Sequence, residues 1–193
     1  MSEVNNRTAL HGSAVFLDRD GTIIEDRGDL SDPGEVVWYE DTVSSLLRLS
    51  HFLDLFIVTN QSGVAKGKIS LEDVDRVNAY VSSYLAQHGI PIAAIYVCPH
   101  EQASGCQCKK PSPYFLGKAE EDFRLDLRRS FVVGDHPHDV ELAKNAGATG
   151  IYVLTGHGRK HREGIPADAI VVQGIGEATG QILARTGRRE DQR

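Results

Sequence analysis

Short apolar runs alternate with helical patterns along most of this chain, and four of the runs stop on a polar residue. Asp18 follows AVFL (14–17), Thr59 and Asn60 close LDLFIVTN (53–60), Cys98 closes IAAIYVC (92–98), and Asp135 closes SFVVGD (130–135). Runs of this length with few polar breaks predict strands buried on both faces. TGIYVLTG (149–156) and AIVVQG (169–174) predict two more. Between them lie helical stretches at 42–52, 70–89, 113–123, 139–147 and 176–186. Asp41 is expected to cap the first of these, Ser70 with Asp73 three residues on caps the second, and Gly89 and Gly147 are stop signals. Alternating strands and helices imply a doubly wound parallel sheet covered on both sides, an α/β fold. In such sheets the ligand site lies at the C-terminal strand ends, where the strand order reverses. The chain is expected to form one domain over 14–185, with flexible ends at 1–13 and 186–193.

Charge and hydropathy narrow the partners. The 193 residues carry a formal net charge of −6, which disfavours nucleic acid or an anionic membrane surface. No run approaches the ~18 apolar residues of a membrane span, and the polar start MSEVNNRTALHGS lacks a signal-peptide pattern. A cytoplasmic monomer is expected.

The stretch AVFLDRDGTIIE (14–25) carries the sharpest chemical signal. On a continuing strand Asp18 and Asp20 would point the same way, and two carboxylates that close need a positive charge near them. A hard cation with oxygen ligands, Mg²⁺ first among them, meets that need, with Asp18 and Asp135 as direct ligands and Asp20 lending its backbone carbonyl. Given a phosphate monoester, each part acquires a task. Asp18 is the nucleophile that takes the phosphoryl group, and Asp20 is the general acid and then base. Thr59 and Lys110 stabilise charge on the transferring oxygens, and Gly21 permits a tight turn after the pair. Asp139 is read as orienting a metal-bound water, and Arg19 as a local salt-bridge residue.

These residues resemble the haloacid dehalogenase (HAD) superfamily of phosphohydrolases. FLDRDGT is similar to its first motif, VTN to its second, KKP to its third and VVGDHPHD to its fourth, in order and over residues 14 to 185. The resemblance implies a HAD-like Rossmannoid fold and a small phosphorylated metabolite as substrate. By position in the family, Asp26, Arg27, Gly28, Asp29, Thr59, Asn60, Gln61, Ser62, Lys109 and Lys110 contact substrate. His136 falls where relatives place a second metal or substrate contact.

Cysteine placement narrows the branch. Cys98, His100, Cys106 and Cys108 form a C-x-H, five residues, C-x-C pattern, which suits tetrahedral structural zinc; a Cys106–Cys108 disulfide is the alternative. Cys108 stands two residues before Lys110, so pinning the loop fixes the lysine. The combination is similar to a capless branch comprising the D-glycero-D-manno-heptose 1,7-bisphosphate phosphatases and the histidinol-phosphate phosphatases, whose pockets are shaped by short loops. Segments 25–40 and 64–70 are too short for a separate cap. TNQSGVAKG, with Ser62, is like the heptose enzymes; the short His100–Cys106 spacing, and Asp29 where heptose enzymes carry an aromatic residue, are not. The heptose bisphosphate is the leading substrate and histidinol phosphate the alternative. A phospho-accepting receiver domain is the rival from another class, which lacks an acid two residues after the nucleophile.

Overall fold

The computed structural model describes residues 11–187. The expected flexible ends lie, for 1–10 and 188–193, outside the described residues. Six strands, β1 (Ala14–Leu17), β2 (Asp54–Asn60), β3 (Ile92–Cys98), β4 (Phe131–Gly134), β5 (Thr149–Val153) and β6 (Ile170–Val172), form one sheet in the order β3-β2-β1-β4-β5-β6. Every pairing is parallel. The helices are α1 (Thr42–Ser50), α2 (Leu71–Gln87), α3 (Tyr114–Phe123), α4 (Pro137–Ala146) and α5 (Ile175–Arg185).

Side-chain alternation along the strands divides the core in two. Val15, Leu17 and Ile57 face α1, α2 and α5, against Leu46, Leu49, Val77, Val81, Ile175 and Ile182. Ala14, Phe16, Phe56 and Val58 face α3 and α4, against Leu116, Ala119, Phe123 and Leu142. Phe16 and Phe56 stack at 5.1 Å and Phe123 meets Phe56 edge-on at 4.9 Å, so this second face is sealed by aromatic contacts. Both faces are covered, as the unbroken apolar strands require.

The strand order places the reversal between β1 and β4. The chain steps outward from β1 to β2 and β3, then returns to lay β4 on the other side of β1. Leu17 pairs with Val133, and the Asp18 amide donates to the Val133 carbonyl at 2.9 Å. Asp18 and Asp135 therefore leave adjacent strands at the same end of the sheet.

Local signals hold in part. Ser70 and Asp73 close a capping box on α2, and Gly89 and Gly147 adopt positive φ just beyond α2 and α4. Asp41 stands at the start of α1 but makes no side-chain cap there. Its carboxylate instead accepts from the Gly176 amide at 2.8 Å, tying α1 to the first turn of α5. The fourth helix starts at Pro137 rather than at Asp139, because His136 and Asp139 cap it reciprocally. Segment 25–40 holds turns, a short 3₁₀ turn at Pro33–Glu35 and Trp38 of the isolated Ile24–Trp38 bridge, and segment 64–70 holds turns. Among the described residues no helix is long and apolar enough to cross a membrane.

Candidate active site

A cleft of about 300 Å³ opens at the C-terminal strand ends, lined by Asp18, Asp20, Asp26, Thr59, Asn60, Lys109, Lys110, His136, His138 and Asp139. At its floor, Asp18 is 8%, Asp135 4% and Asp139 1% exposed. One carboxylate oxygen from each of the three comes within 4.8 Å of the others. Lys110 reaches in from the loop before α3, donating from Nζ to Asp18 Oδ1 and, at 2.7 Å, to Asp139 Oδ1. Burial raises the Asp18 pKa well above the carboxylate range; Lys110 opposes this, while Asp139 and Asp135 add to it. Burial likewise pushes Asp135 up to about 6, against the His157 N–H bond that favours its anion. For Lys110, burial works against the charge but Asp139 and Asp18 outweigh it, and its pKa rises. Three buried carboxylates thus gather around one ammonium that bonds two of them, a donor set of hard oxygens short of positive charge, which a divalent cation fits.

Close backbone approach closes the floor. A Cβ on Gly21 (φ +83°) would fall 2.1 Å from Asp135 Oδ2, and one on Gly156 2.2 Å from the same oxygen. Only glycine fits at these two positions. Thr155 Oγ1 donates to the Gly21 carbonyl at 2.6 Å, locking the two loops together.

Asp20 is held by a network that the sequence reading left out. Arg19, with a side chain 0% exposed, donates from Nε and Nη2 to the Asp20 carboxylate at 3.0 to 3.2 Å. Its Nη1 donates to Asn78 Oδ1, from α2, at 2.6 Å. Gln61 Nε2 donates to Asp20 Oδ2 at 2.7 Å and to Thr59 Oγ1 at 2.8 Å. Arg19 is a salt-bridge residue as expected, but a fully buried one whose far end is fixed by another element. Asn78, a polar residue among Val74, Val77 and Val81 on the buried side of α2, was the available signal. Asp139 binds Lys110 directly and caps α4 through the His136 amide at 3.1 Å.

The other expected contact residues divide. Asp26, Thr59, Asn60 and Lys109 line the cleft, Asn60 Oδ1 accepting from the Lys110 amide at 3.2 Å. Lys109 Nζ donates to the His100 carbonyl at 3.2 Å. Gln61 is buried behind Asp20. Arg27 pairs with Glu25 at 3.3 Å in solvent, Gly28 donates its amide to Asp26 at 2.7 Å, and Ser62 accepts from the Lys66 amide through its carbonyl. Asp29 pairs with Lys68 at 3.0 Å and abuts Gly63, which joins segments 25–40 and 64–70. Arg27, Gly28, Asp29 and Ser62 are not among the cleft-lining residues.

Cys98, His100, Cys106 and Cys108 converge beyond the end of β3, in the stretch that leads to Lys109 and Lys110. Their donor atoms stand 3.7 Å (Cys98–His100), 3.7 Å (Cys98–Cys106), 3.1 Å (Cys98–Cys108), 3.3 Å (His100–Cys108) and 3.8 Å (Cys106–Cys108) apart. A tetrahedron with metal–sulfur bonds of about 2.3 Å has edges of about 3.8 Å. The separations are too long for a disulfide, whose S–S bond is about 2.05 Å. The three cysteines are free thiols, so the alternative pairing does not form.

With this geometry in view, the comparisons decide the family. The HAD-hydrolase-like family model matches residues 107–178. A protein of Vibrio cholerae, named D-glycero-beta-D-manno-heptose-1,7-bisphosphate 7-phosphatase, is 36% identical over 154 residues, covering 74% of this chain and 82% of that protein. The chain belongs to the D-glycero-D-manno-heptose-1,7-bisphosphate 7-phosphatase family of HAD hydrolases. A member from Thermoplasma acidophilum, named a probable heptose bisphosphatase, is 39% identical, covering 69% of this chain and 84% of that one. The crystal structure of the B. bronchiseptica heptose bisphosphate phosphatase, complexed with magnesium and phosphate, superposes with a TM-score of 0.82 at 29% identity, covering 90% of this chain and 99% of that one. Membership of this phosphatase family replaces the receiver-domain reading.

Proposed function

We propose that this chain is a Mg²⁺-dependent phosphomonoesterase that removes the 7-phosphate of D-glycero-D-manno-heptose 1,7-bisphosphate through an aspartyl-phosphate on Asp18. The observation that carries the reading is the pairing of Asp18 with Lys110 on a floor shared with Asp135 and Asp139, with a second carboxylate, Asp20, held at the rim. The heptose relatives, and the magnesium and phosphate bound by one of them, support the substrate and the metal.

In this mechanism Asp18 attacks phosphorus and its oxygen bonds to it as the sugar oxygen leaves. Asp20 gives that leaving oxygen a proton, then takes one from the water that cleaves the acyl phosphate. Arg19 and Gln61 keep the Asp20 carboxylate aimed across both steps. Lys110 orients Asp18 and meets the negative charge that grows on the phosphoryl oxygens, with the Thr59 hydroxyl beside it. Asp18, Asp135 and the Asp20 carbonyl would hold Mg²⁺, with Asp139 near enough to join or to orient a bound water. When bound, the cation supplies charge neutralisation and Lewis acidity at the phosphoryl oxygens. Cys98, His100, Cys106 and Cys108 would hold Zn²⁺ as a closed structural site that fixes Lys109 and Lys110. Asp26, Asn60 and Lys109, on the cleft wall, would contact the sugar, with Arg27, Gly28, Asp29 and Ser62 reaching it only after loop rearrangement.

The five-residue spacing between His100 and Cys106 favours histidinol phosphate as a second reading. Phosphate release under Mg²⁺ separates the two. Heptose bisphosphate is expected to turn over at least tenfold more efficiently; a preference for histidinol phosphate would reassign the substrate.

A further inference from the structure

A second cavity, of about 430 Å³, lies at the opposite end of the sheet from the catalytic cleft and takes no part in its chemistry. Chain direction puts it there. Among its lining residues, Ser13 precedes β1, Leu53 precedes β2, Phe131 opens β4 and Thr149 opens β5. The cavity therefore sits at the N-terminal ends of strands whose other ends lead to Asp18, Thr59 and Asp135. Four residues of β1, at about 3.3 Å of rise each, keep the two sites roughly 13 Å apart.

Backbone bonds tie the walls together. The Asp54 amide donates to the Ser13 carbonyl at 3.0 Å, the Asp126 amide to the Gly12 carbonyl at 2.9 Å, and the Thr149 amide to the Ser130 carbonyl at 3.0 Å. Ser130 Oγ accepts from the Ala14 amide at 3.0 Å and donates to the Asp126 carbonyl at 2.8 Å. The floor is apolar: Leu53 and Phe131 belong to the core cluster on the α1 and α5 side, and Phe52 packs against it. A preformed hollow of this size suits a small organic molecule.

The polar lining says which kind. Arg128, Arg129 and Arg185 line the cavity and no carboxylate does among the described residues, on a chain of net charge −6. Arg128 is taken by Asp126, Nε to Oδ1 at 3.2 Å. Arg129 makes no hydrogen bond or ion pair among the described residues. Arg185 spends only Nη1, on the carbonyl and side-chain oxygens of Gln181, so its Nε and Nη2 are open. Ser13 is 5% exposed, yet its hydroxyl, which lines the cavity, has no partner among the described residues. The Thr149 hydroxyl is likewise unpaired, whereas that of Thr186 is spent on the Leu183 carbonyl at 2.9 Å. A buried donor left without an acceptor is costly, and a ligand oxygen removes that cost.

Two open guanidinium groups and two unpaired hydroxyls over an apolar floor fit a molecule with an oxyanion at one end and a ring or hydrocarbon at the other. A phosphate offers three oxygens to these four groups where a carboxylate offers two, and charge-assisted bonds to it are the strong ones. We propose that this cavity is a second ligand site, separate from catalysis, that takes a phosphate monoester with an apolar body. Arg129 and Arg185 grip the phosphate, Ser13 and Thr149 donate to its oxygens, and the body lies over Phe52 and Phe131. The site stands whatever substrate the cleft takes.

The test titrates phenylphosphonate, which has the anion and the ring but no ester bond to cleave, into the full chain labelled with ¹⁵N. Amide shifts at Ser13, Leu53, Thr149 and Thr186 should saturate with a Kd of about 1 mM or tighter, in wild type and in Asp18→Asn alike. In Arg129→Ala Arg185→Ala the same shifts should need at least about tenfold more ligand, while phosphate release under Mg²⁺ stays within about twofold of wild type. Inorganic phosphate, benzyl alcohol and benzoate, each lacking one part of the recognised group, should bind at least about tenfold more weakly than phenylphosphonate. Shifts confined to Asp18, Asp20 and Thr59 overturn the site. An unchanged affinity in the double variant does so too, as does equal binding of any of the three partial ligands.

Discussion

The two metal-competent clusters sit at opposite extremes of construction. Cys98, His100, Cys106 and Cys108 come from eleven consecutive positions, with only Cys98 fully buried. Asp18, Asp135 and Asp139 span more than half the chain, come from two neighbouring strand ends and a helix start, and are all buried. A loop can gather soft ligands by itself. Buried carboxylates need a folded sheet to be brought together and a cation or lysine to be tolerated there. Lys110 joins the two clusters: its backbone follows the cysteine loop by two residues and its ammonium lies among the carboxylates.

The largest break in this comparison is expected at Asp18. Asp18→Asn keeps the shape and removes the nucleophile, so phosphate release should fall by at least about 10⁴-fold with an unchanged circular dichroism spectrum. Measurable turnover close to wild type would end the covalent mechanism. Next comes the cysteine side. Cys106→Ser Cys108→Ser should lose about one equivalent of zinc by metal analysis, and kcat should drop about 10²-fold as Lys110 loses its position. A full rate in zinc-free variant protein would separate the two clusters. Asn78→Ala tests the hold on Asp20 without touching it. Leaving a buried guanidinium N–H unpaired costs about 1–3 kcal/mol of stability, and kcat should fall about tenfold with KM unchanged; a KM effect alone would assign Asn78 to binding. The smallest effect is expected at Lys68→Ala. The Asp29–Lys68 pair is exposed and should shift stability by no more than about 1 kcal/mol in thermal unfolding. A larger loss would mean that the pair sets the loop geometry of the cleft.

What could be read without coordinates followed the range of the interactions. The convergence of Cys98, His100, Cys106 and Cys108, the Ser70–Asp73 capping box and the placing of Asp18 and Asp20 in one cleft each rest on residues close together in the chain. What a linear reading leaves out has long-range partners. Asp41 carries the residue type of an N-cap, yet its carboxylate serves the Gly176 amide 135 positions away. Asp139 was placed inside the fourth motif without its lysine, which lies 29 residues earlier. Arg19 was read as a local ion pair, and its second partner, Asn78, is 59 residues off on α2.

The order of apolar runs and helical stretches, by itself, dictated a covered parallel sheet and put its chemistry at the strand ends, because burial on both faces and period-two alternation leave few other solutions. Residue type and spacing also specified the soft-ligand loop. Only the tertiary structure decided which carboxylates share Lys110, what grips Asp20, and that Arg129 and Arg185 line one cavity. Those choices depend on which strand returns next to β1, and a linear pattern carries no record of distances between residues that meet only after the sheet has closed.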